Sequence, residues 1–407
     1  MELITLEIIQ KNFLRELQDA YSGKKTSLPF IIHNLSSIPI VKNGDVFEAL
    51  VIGGSIWKKA LLQKTKKEIE IVKKETERSV AFKNEKDFLE FIDNEVKDNI
   101  KVLALNFAYP LKPIFEKGRL DGTLLKVTKE GSFHGLIGKK IGKEIEGYIL
   151  KKRNKKITAS VANDTVCLLL SGLTKYSFDS LAAGIVGTGL NFAFFLDKER
   201  LVNLESANFD KFALSQEASI IDKESSEPNI HLFEKETAGA YLYKHFNLII
   251  KEKKINYPQI SSAEELDTLS RKNIPQVSII AQSLLEKSAQ LVACQVAGIT
   301  EFKQIAQDLS IRHSGESRSA GRLQNLSRFP HGAKRFWTSS PRSSFGEAGQ
   351  NDNHESMVFN MEGRLFWKGN EYKETVEKVV KQLVPKYSVR FVEIKDSGTL
   401  GAAKLVS

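Results

Sequence analysis

Residues 47–58 have the sequence FEALVIGGSIWK, in which Gly53-Gly54 separates two apolar runs. Two such runs on either side of a glycine pair are typical of adjacent β-strands joined by a tight turn. Glycine also lets the backbone N–H groups of a turn approach a phosphate closely. The sequence therefore predicts strands within residues 46–62 and over residues 68–73, with a phosphate-binding hairpin at Gly53-Gly54.

Strand and helix patterns alternate on both sides of this hairpin. Apolar residues at helical spacing over the first ~20 positions predict an N-terminal helix. A second unit starts near Thr165 and contains a glycine-rich stretch at residues 184–189. Alternation of this kind predicts an α/β fold. The remaining elements that the patterns predict are strands over residues 101–109, 123–128, 157–162 and 389–394, and helices over residues 85–94, 233–248, 275–296 and 372–383.

The composition is that of a globular protein with room for two domains. The chain has 407 residues and a mass of 45.7 kDa, and 41% of the residues are hydrophobic. No apolar run approaches the ~20 residues of a membrane span. The N-terminus is acidic and periodic, whereas a secretory signal begins basic and continues apolar. We therefore expect a cytoplasmic protein without a membrane partner.

Cysteine usage and charge exclude some other classes of protein. Cys167 and Cys294 lie in apolar stretches without C-x-x-C spacing, which predicts core cysteines and neither a disulfide framework nor a zinc site. The net charge of +10 suits either a polyanionic partner or lysine-rich solvated surfaces such as residues 64–74. The second interpretation is favoured, so we expect no nucleic-acid partner and no obligate protein partner.

Residues 310–356 do not fit the α/β pattern, because they are rich in Ser, Gly and Arg and poor in aliphatic residues. This composition buries too little apolar surface to offset chain entropy, which predicts a disordered or loosely held insertion. The segment resembles the translated product of a dispersed bacterial repeat. An RNA-binding loop is the alternative, and it is disfavoured because the basic residues are confined to the segment that fits worst.

The tripeptide Asn163-Asp164-Thr165 is the sharpest candidate site. It lies between a predicted strand and an apolar run, where α/β folds place reactive groups. Asp164 there could act as a general base on a substrate hydroxyl, or it could simply cap the next helix, and the tripeptide alone does not separate the two. Gly187-Thr188-Gly189 offers N–H groups and a hydroxyl to a phosphate, although many turns share this pattern.

The order of several motifs resembles that of the hexokinase family, over nearly the whole chain except the insertion. Residues 47–58 are similar to the family's phosphate loop F-L-A-L-D-L-G-G-T-N-F-R. The stretches VANDTV (161–166) and IVGTGLN (185–191) are similar to V-N-D-T-V and I-V-G-T-G-S-N. Further similar motifs are FAYP (107–110) to F-S-F-P, VTKEGSF (127–133) to W-T-K-G-F, NLE (203–205) to N-M-E, FEK (233–235) to F-E-K, MEG (361–363) to V-D-G and DSGTLGAA (396–403) to D-G-S-G-K-G-A-A.

This resemblance implies a two-lobed ribonuclease H-like/actin-like ATPase fold that binds a hexose and Mg-ATP between its lobes. The lobes would be residues 38–165 (small) and 166–407 (large, interrupted by residues 310–356), after an N-terminal helical segment of residues 1–37. Asp164 would be the base that activates the 6-hydroxyl, with Lys129 as a second catalytic residue and Mg²⁺ bound through the nucleotide rather than by a protein site. The resemblance implies a sugar pocket of Thr128, Lys129, Asn163, Asp164, Asn191, Glu205 and Glu234, and a nucleotide site of Gly53, Gly54, Ser55, Gly187, Thr188, Gly189 and Gly398.

Three departures from the family pattern bear on turnover. Val51 stands where the phosphate loop has an aspartate, Ile56 where it has an asparagine, and Ala108 where a serine would touch the sugar. A missing carboxylate leaves the charge and position of a metal less well fixed. A catalytically impaired or silent sugar-binding relative is therefore the alternative to an active hexokinase.

Overall fold

The structure is a computed structural model that describes residues 1–53, 56–78, 81–126, 133–316 and 356–407, with the backbone alone at residues 307–316. Its strands are β1 (Ile31–Asn34), β2 (Val46–Ile52), β3 (Ile56–Lys64), β4 (Ile69–Arg78), β5 (Val102–Phe107), β6 (Leu111–Glu116), β7 (Arg119–Leu124), β8 (Thr158–Ala162), β9 (Leu181–Val186), β10 (Leu190–Phe195), β11 (Arg200–Asn203), β12 (Ser356–Glu362) and β13 (Ser388–Val392). Its α-helices are α1 (Leu3–Tyr21), α2 (Glu85–Glu95), α3 (Ile141–Arg153), α4 (Asp164–Gly172), α5 (Gln216–Glu224), α6 (Leu232–Thr237), α7 (Gly239–Glu252), α8 (Ala263–Ser270), α9 (Val277–Glu316), α10 (Arg364–Lys368), α11 (Tyr372–Leu383) and α12 (Ser397–Lys404).

A five-stranded sheet of order β4-β3-β2-β5-β8 contains the predicted hairpin. Strands β2 and β3 pair antiparallel on either side of the glycine turn, while β5 and β8 run parallel to β2. Alternate residues of β2 face opposite sides, as the period of a strand requires. Leu50 and Ile52 pack with α2 and α3, whereas Phe47 and Ala49 face α4 and α12.

A six-stranded sheet of order β1-β11-β10-β9-β12-β13 forms the second layer. Strands β9, β12 and β13 are parallel, and β9, β10, β11 and β1 are antiparallel. One face packs against a helical layer in which α1, α8 and α11 surround α9. Residues 1–37, expected as a helical segment, thus supply both α1, whose Phe13 is fully buried, and β1, an edge strand of this sheet.

Helices α4 and α12 lie between the two sheets and connect their cores. They approach so closely that a Cβ atom on Gly401 would lie 1.7 Å from the backbone oxygen of Cys167. Cys167 and Cys294 are both buried and free, as the sequence predicts. In the part of the chain that the structure describes, no helix has the length and apolarity needed to cross a membrane.

Two predicted helices differ from those in the structure, and the first is α9. The long helix predicted over residues 275–296 continues to Glu316, because Ile299 and Phe302 pack into the core that α9 shares with α1 and the six-stranded sheet. Residues 310–316 are therefore helical rather than part of a loop, and Ser356 already belongs to β12. The rest of the predicted insertion, residues 317–355, lies outside the described residues.

The helix predicted over residues 233–248 is in fact two helices, α6 and α7, because Ala238 is extended with ψ 152°. The first N–H groups of α7 bond to a distant loop instead of to the preceding helix. Gly239 donates to the backbone oxygen of Gly187 at 2.8 Å, and Ala240 donates to that of Thr188 at 3.1 Å. The break thus anchors the glycine turn that the sequence marks as a phosphate site.

Candidate active site

The cap of α4 leaves Asp164 available at the strand end. Asn163 follows β8, and its side chain accepts a hydrogen bond from the Val166 N–H at 3.0 Å, so Asn163 is the capping residue. Asp164 is the first residue of the helix and is partly exposed. Its Oδ1 accepts the Thr165 N–H at 2.8 Å. The interpretation of Asp164 as a helix cap is thereby weakened, because Asn163 already caps the helix without the Asp164 side chain.

An amide and carboxylate network lies next to Asp164. Asn191 Nδ2 donates to Thr165 Oγ1 at 3.1 Å, to Asn203 Oδ1 at 2.7 Å and to Glu205 Oε1 at 3.3 Å. Asn203 Nδ2 donates to the same Glu205 oxygen at 2.7 Å. Glu205 has a left-handed backbone with φ 50°, which directs the chain away from the end of β11. These contacts fix the orientation of the Glu205 carboxylate.

Glu234 joins the same site from α6. Its Oε2 accepts the Leu190 N–H at 3.0 Å, beside Asn191. A Cβ atom on Gly189 would lie 2.8 Å from this oxygen, so a larger residue would displace the carboxylate from the Leu190 N–H. The structure therefore brings together five predicted sugar-site residues, namely Asn163, Asp164, Asn191, Glu205 and Glu234.

The carboxylates of this site interact electrostatically. Burial raises the pKa of Glu205 above its ordinary value, and the negative charge of Asp164 adds to the rise. Burial likewise raises the pKa of Glu234, and the charge of Glu205 adds to it. A cluster of hydrogen-bond acceptors with unfavourable mutual repulsion suits a ligand that brings several hydroxyl donors.

The second glycine turn lies directly beside the carboxylates. Gly187 N donates to Gly189 O at 3.0 Å, which closes the turn between β9 and β10. The amino terminus of α7 is bonded to this turn, as described above. The predicted phosphate residues Gly187, Thr188 and Gly189 thus lie between the sugar-side residues and α7.

The strand that leads into the first glycine motif packs against the amino terminus of α12. Gly53 N donates to Ile56 O at 3.1 Å at the base of the hairpin. A Cβ atom on Gly398 would lie 3.1 Å from Asn106 Nδ2 and 3.4 Å from Val51 Cγ1. Val51 therefore packs directly against Gly398, so the position that lacks the family carboxylate faces a predicted nucleotide residue.

Four predicted site residues lie outside the described part of the chain. They are Gly54 and Ser55 in the hairpin turn and Thr128 and Lys129 after β7. Their roles remain predictions from the sequence.

Glu362 is a further candidate site residue, which the sequence alone does not single out. It ends β12, is open to solvent, and its Oε2 lies 3.4 Å from Ser397 Oγ. Desolvation by the protein around the carboxyl group raises the pKa of Glu362. The negative charge of Asp164 adds to the rise, and the positive charge of Lys58 opposes it. The sequence feature that points to it is the likeness of residues 361–363 to V-D-G. The sequence alone does not single out Asn203 either, because its contacts with Asn191 and Glu205 form only when β10 and β11 pair.

Together, the fold and the site define a two-lobed α/β protein with a cluster of carboxylates, one glycine turn bonded to the amino terminus of α7 and a second glycine motif whose strand packs against the amino terminus of α12. Two hexokinase family models match the sequence, one over residues 2–174 and the other over residues 251–407. The chain belongs to the hexokinase family.

The curated relatives are distant but extensive. Hexokinase-7 of Oryza sativa subsp. japonica is 22% identical over 436 residues, covering 94% of this chain and 88% of the relative. A hexokinase of Kluyveromyces lactis is 24% identical over 357 residues, covering 72% of this chain and 73% of the relative. The similarity thus spans both halves of the molecule.

Solved structures agree with this assignment at the level of the fold. A hexokinase from Schistosoma mansoni complexed with glucose superposes with a TM-score of 0.73 at 17% identity, covering 100% of this chain and 95% of the other. A ROK hexokinase from Thermus thermophilus gives 0.52 at 12% identity, covering 88% and 97%. The predicted two-lobed hexokinase architecture with an actin-like ATPase fold is confirmed.

Proposed function

We propose that the protein is an ATP-dependent hexokinase, which transfers the γ-phosphoryl group of ATP to the 6-hydroxyl of a hexose such as glucose. Family membership supports sugar phosphorylation in general, and the hexose and the catalytic residue are the proposal. The carrying observation is the position of Asp164 at the start of α4, next to Thr165, which accepts a hydrogen bond from Asn191 of the amide and carboxylate network. Desolvation raises the pKa of Glu205 and of Glu362, and the negative charge of Asp164 adds to the rise in both. A base between acceptor and donor is what phosphoryl transfer requires.

In this reaction Asp164 takes the proton of the 6-hydroxyl as the oxygen attacks the γ-phosphorus. Its Oδ1 is engaged by the Thr165 N–H, and within the described ranges no hydrogen bond engages Oδ2. The free oxygen is the one that would accept the proton. Because the backbone N–H at residue 165 fixes the carboxylate plane, the base is oriented before substrate arrives.

Glu205, Glu234 and the Asn191 amide bind the sugar. Carboxylate oxygens that accept from hydroxyls hold a polyol in one orientation, and each charged hydrogen bond contributes roughly 1.5–3 kcal/mol. The Asn191 and Asn203 amides keep Glu205 in place. Orientation of the ring relative to Asp164 is therefore the main contribution of this group.

The donor atoms also suit Mg²⁺ that enters with the nucleotide. Asp164 and Glu362 present carboxylate oxygens, the ligands that Mg²⁺ prefers, and their mutual repulsion would be relieved by a cation. Among the described residues, no group of three or more His, Cys, Asp or Glu side chains is placed to hold a metal ion. When bound, Mg²⁺ would neutralise charge on the phosphate oxygens. The N–H groups of the two glycine turns would position the phosphates.

A catalytically impaired sugar-binding protein is the second candidate, and Val51 is the observation that favours it. An apolar side chain packed against Gly398 offers no charge to a hydrated metal. Sugar-side contacts do not involve Val51, so hexose binding would survive in either case.

A coupled assay for ADP formation tests the proposal, with glucose, fructose and mannose as acceptors and Asp164→Asn as the matched control. Hexose-dependent ADP release that the variant lacks supports the kinase. Glucose binding by calorimetry without ADP release would favour the silent relative, and neither binding nor release would overturn both.

A further inference from the structure

Asn106 is a buried amide on the sheet face that α12 covers. It lies near the end of β5, in register with Val51 of β2 on one side and with Ala162 of β8 on the other. Residues directly opposite each other on paired strands point to the same face of the sheet. Asn106 and Val51 therefore lie side by side, both against Gly398, and only 3% of Asn106 is exposed.

The amide of Asn106 makes little use of its hydrogen-bonding groups. Nδ2 donates one long hydrogen bond, to Gly398 O at 3.4 Å. Among the residues that the structure describes, no group donates to Oδ1, although this oxygen is buried. A buried acceptor without a partner costs folding free energy, and such a group in a native protein usually has a functional reason or a ligand that satisfies it.

Other buried asparagines of the molecule have a structural reason for their amide. Both groups of Asn203 are bonded, since Oδ1 accepts from Asn191 and Nδ2 donates to Glu205. Asn360 of β12 also has an unpartnered Oδ1, but its Nδ2 donates two short hydrogen bonds to α4, at 2.8 and 2.9 Å. Asn106 has no bond of this quality, so the packing around it does not explain why the position carries an amide.

The surroundings of Asn106 suit a hydrated cation. Asp164 follows Ala162 by two residues, so its Cα lies within about 7 Å of the Cα of that strand neighbour. On the other side, Ser397 precedes Gly398 and donates to Glu362 Oε2 at 3.4 Å. A neutral amide oxygen between two carboxylates belongs to the oxygen ligands that Mg²⁺ and its bound water prefer.

We propose that Asn106 stands in for the carboxylate that the first hairpin lacks at Val51, and that its Oδ1 accepts a hydrogen bond from a water molecule of the Mg²⁺ that enters with the nucleotide. This rests on the proposed function. Mg²⁺ keeps several waters in protein sites, so an acceptor for one of them fixes the position of the ion.

The arrangement around Asn106 also limits how strongly it can act. Because Oδ1 is buried, water reaches it only when Gly398 moves slightly, and the single long bond from Nδ2 opposes this movement weakly. A neutral acceptor adds no charge, so it holds the ion less tightly than a carboxylate would. Asn106 is thus a positioning residue for the metal and does not touch the reacting atoms.

The test uses calorimetry to measure the dissociation constant of ADP, once with Mg²⁺ and once with EDTA. The ratio of the EDTA value to the Mg²⁺ value gives the contribution of the metal. Asn106→Leu removes the acceptor at nearly constant volume and should lower this ratio roughly two- to tenfold, the range for one neutral hydrogen bond. ADP affinity in EDTA should stay constant. Asn106→Asp should raise the ratio, since a charged acceptor forms stronger hydrogen bonds.

Asn360→Leu is the matched control, because it also removes a buried amide with an unpartnered oxygen. It should leave the ratio unchanged and lower the stability in urea, since two short hydrogen bonds are lost. Asn106→Leu should not lower the stability, because its acceptor has no partner to lose. Adding Val51→Asp to Asn106→Leu should restore the ratio, because the carboxylate takes over the same water.

An unchanged ratio in Asn106→Leu, or an equal loss of ADP affinity in EDTA, would overturn the inference, since the amide would then not act through the metal. If Asn106→Leu does not fold, Asn106→Asp decides, and the absence of a rise in its ratio would overturn the inference as well. An unaltered protein that binds ADP equally with and without Mg²⁺ would have the same consequence. No binding of ADP at all is a different result, because it would remove the proposed function itself.

Discussion

Val51→Asp restores the carboxylate that the first phosphate hairpin lacks, and we expect it to raise kcat. Val51 is partly exposed and lies on the α12 face of β2, level with Asn106 of β5. Aspartate is close to valine in size, so it fits beside Gly398. The Nδ2 group of Asn106 is available to donate a hydrogen bond to it, since the present hydrogen bond from Nδ2 to Gly398 O is long at 3.4 Å.

The size of the gain follows from the charges already present. Loss of one preorganised electrostatic contact typically costs about 10²–10³-fold in kcat. Asp164 and Glu362 already supply negative charge near the phosphates, so we expect the lower end, about 10²-fold, or ~2.7 kcal/mol of barrier. A third carboxylate also increases repulsion when Mg²⁺ is absent, so the variant should unfold more easily in chelator, by roughly 1–2 kcal/mol.

Steady-state kinetics over a Mg²⁺ titration, with Val51→Asn as the uncharged control of equal size, measure this effect. The aspartate variant should gain turnover only with Mg²⁺, and the asparagine variant should not. An equal gain in both variants would show that polarity rather than charge was missing. No gain at any Mg²⁺ concentration would refute the reasoning.

Two further predictions concern the sugar site and the predicted insertion. Glu205→Gln should weaken glucose binding about tenfold, in keeping with loss of a charged hydrogen bond. The hexose affinity of the unaltered protein should fall as the pH drops through the pKa of Glu205, which burial holds above the ordinary carboxyl value. Calorimetry between neutral and acid pH checks both, and a pH-independent affinity would show that the Glu205 carboxylate does not take part in binding. Replacing residues 317–355 with a short Gly-Ser linker should change the free energy of unfolding by less than about 1 kcal/mol, because loop closure entropy depends weakly on length; a collapse of the urea midpoint would show that the segment contributes structure.

The parts of the fold that the sequence predicts well are those held by local patterns. The β2–β3 hairpin follows from two apolar runs and a glycine pair, and α11 follows from the stripe of Val376, Val379 and Val380. The motifs in family order add the two-lobed architecture. Periodicity and turn chemistry act within a few residues, so they are visible without tertiary contacts.

The errors arise where distant residues decide local structure. The break between α6 and α7 depends on hydrogen bonds to Gly187 and Thr188, which precede it by about fifty positions in the sequence. Helix α9 is longer than predicted because α1 and the large sheet bury it. No local pattern contains either contact, so the sequence alone favours one continuous α6–α7 helix and a shorter α9.

The candidate site likewise combines features that local sequence predicts with features that depend on contacts between distant residues. The sequence marks Asp164 as a candidate because it follows a strand, but only the structure shows that Asn163, and not Asp164, caps α4. Glu362 becomes a site residue only when β12 pairs with β9 and brings it near Asp164. Position in the chain marks Asp164 as the candidate base, and the sheet order shows which carboxylates lie near it.

The most direct test of the central claim is detection of the phosphorylated sugar itself. Purified protein is incubated with Mg-ATP and glucose, and ³¹P NMR follows the appearance of a phosphomonoester at the 6-position alongside ADP. We predict that hexose 6-phosphate accumulates with the unaltered protein, and that Asp164→Asn, which keeps the side-chain size but removes the base, forms it at least ~10²-fold more slowly while still binding glucose. Equal product formation by both proteins, or product at a different hydroxyl, would contradict the account.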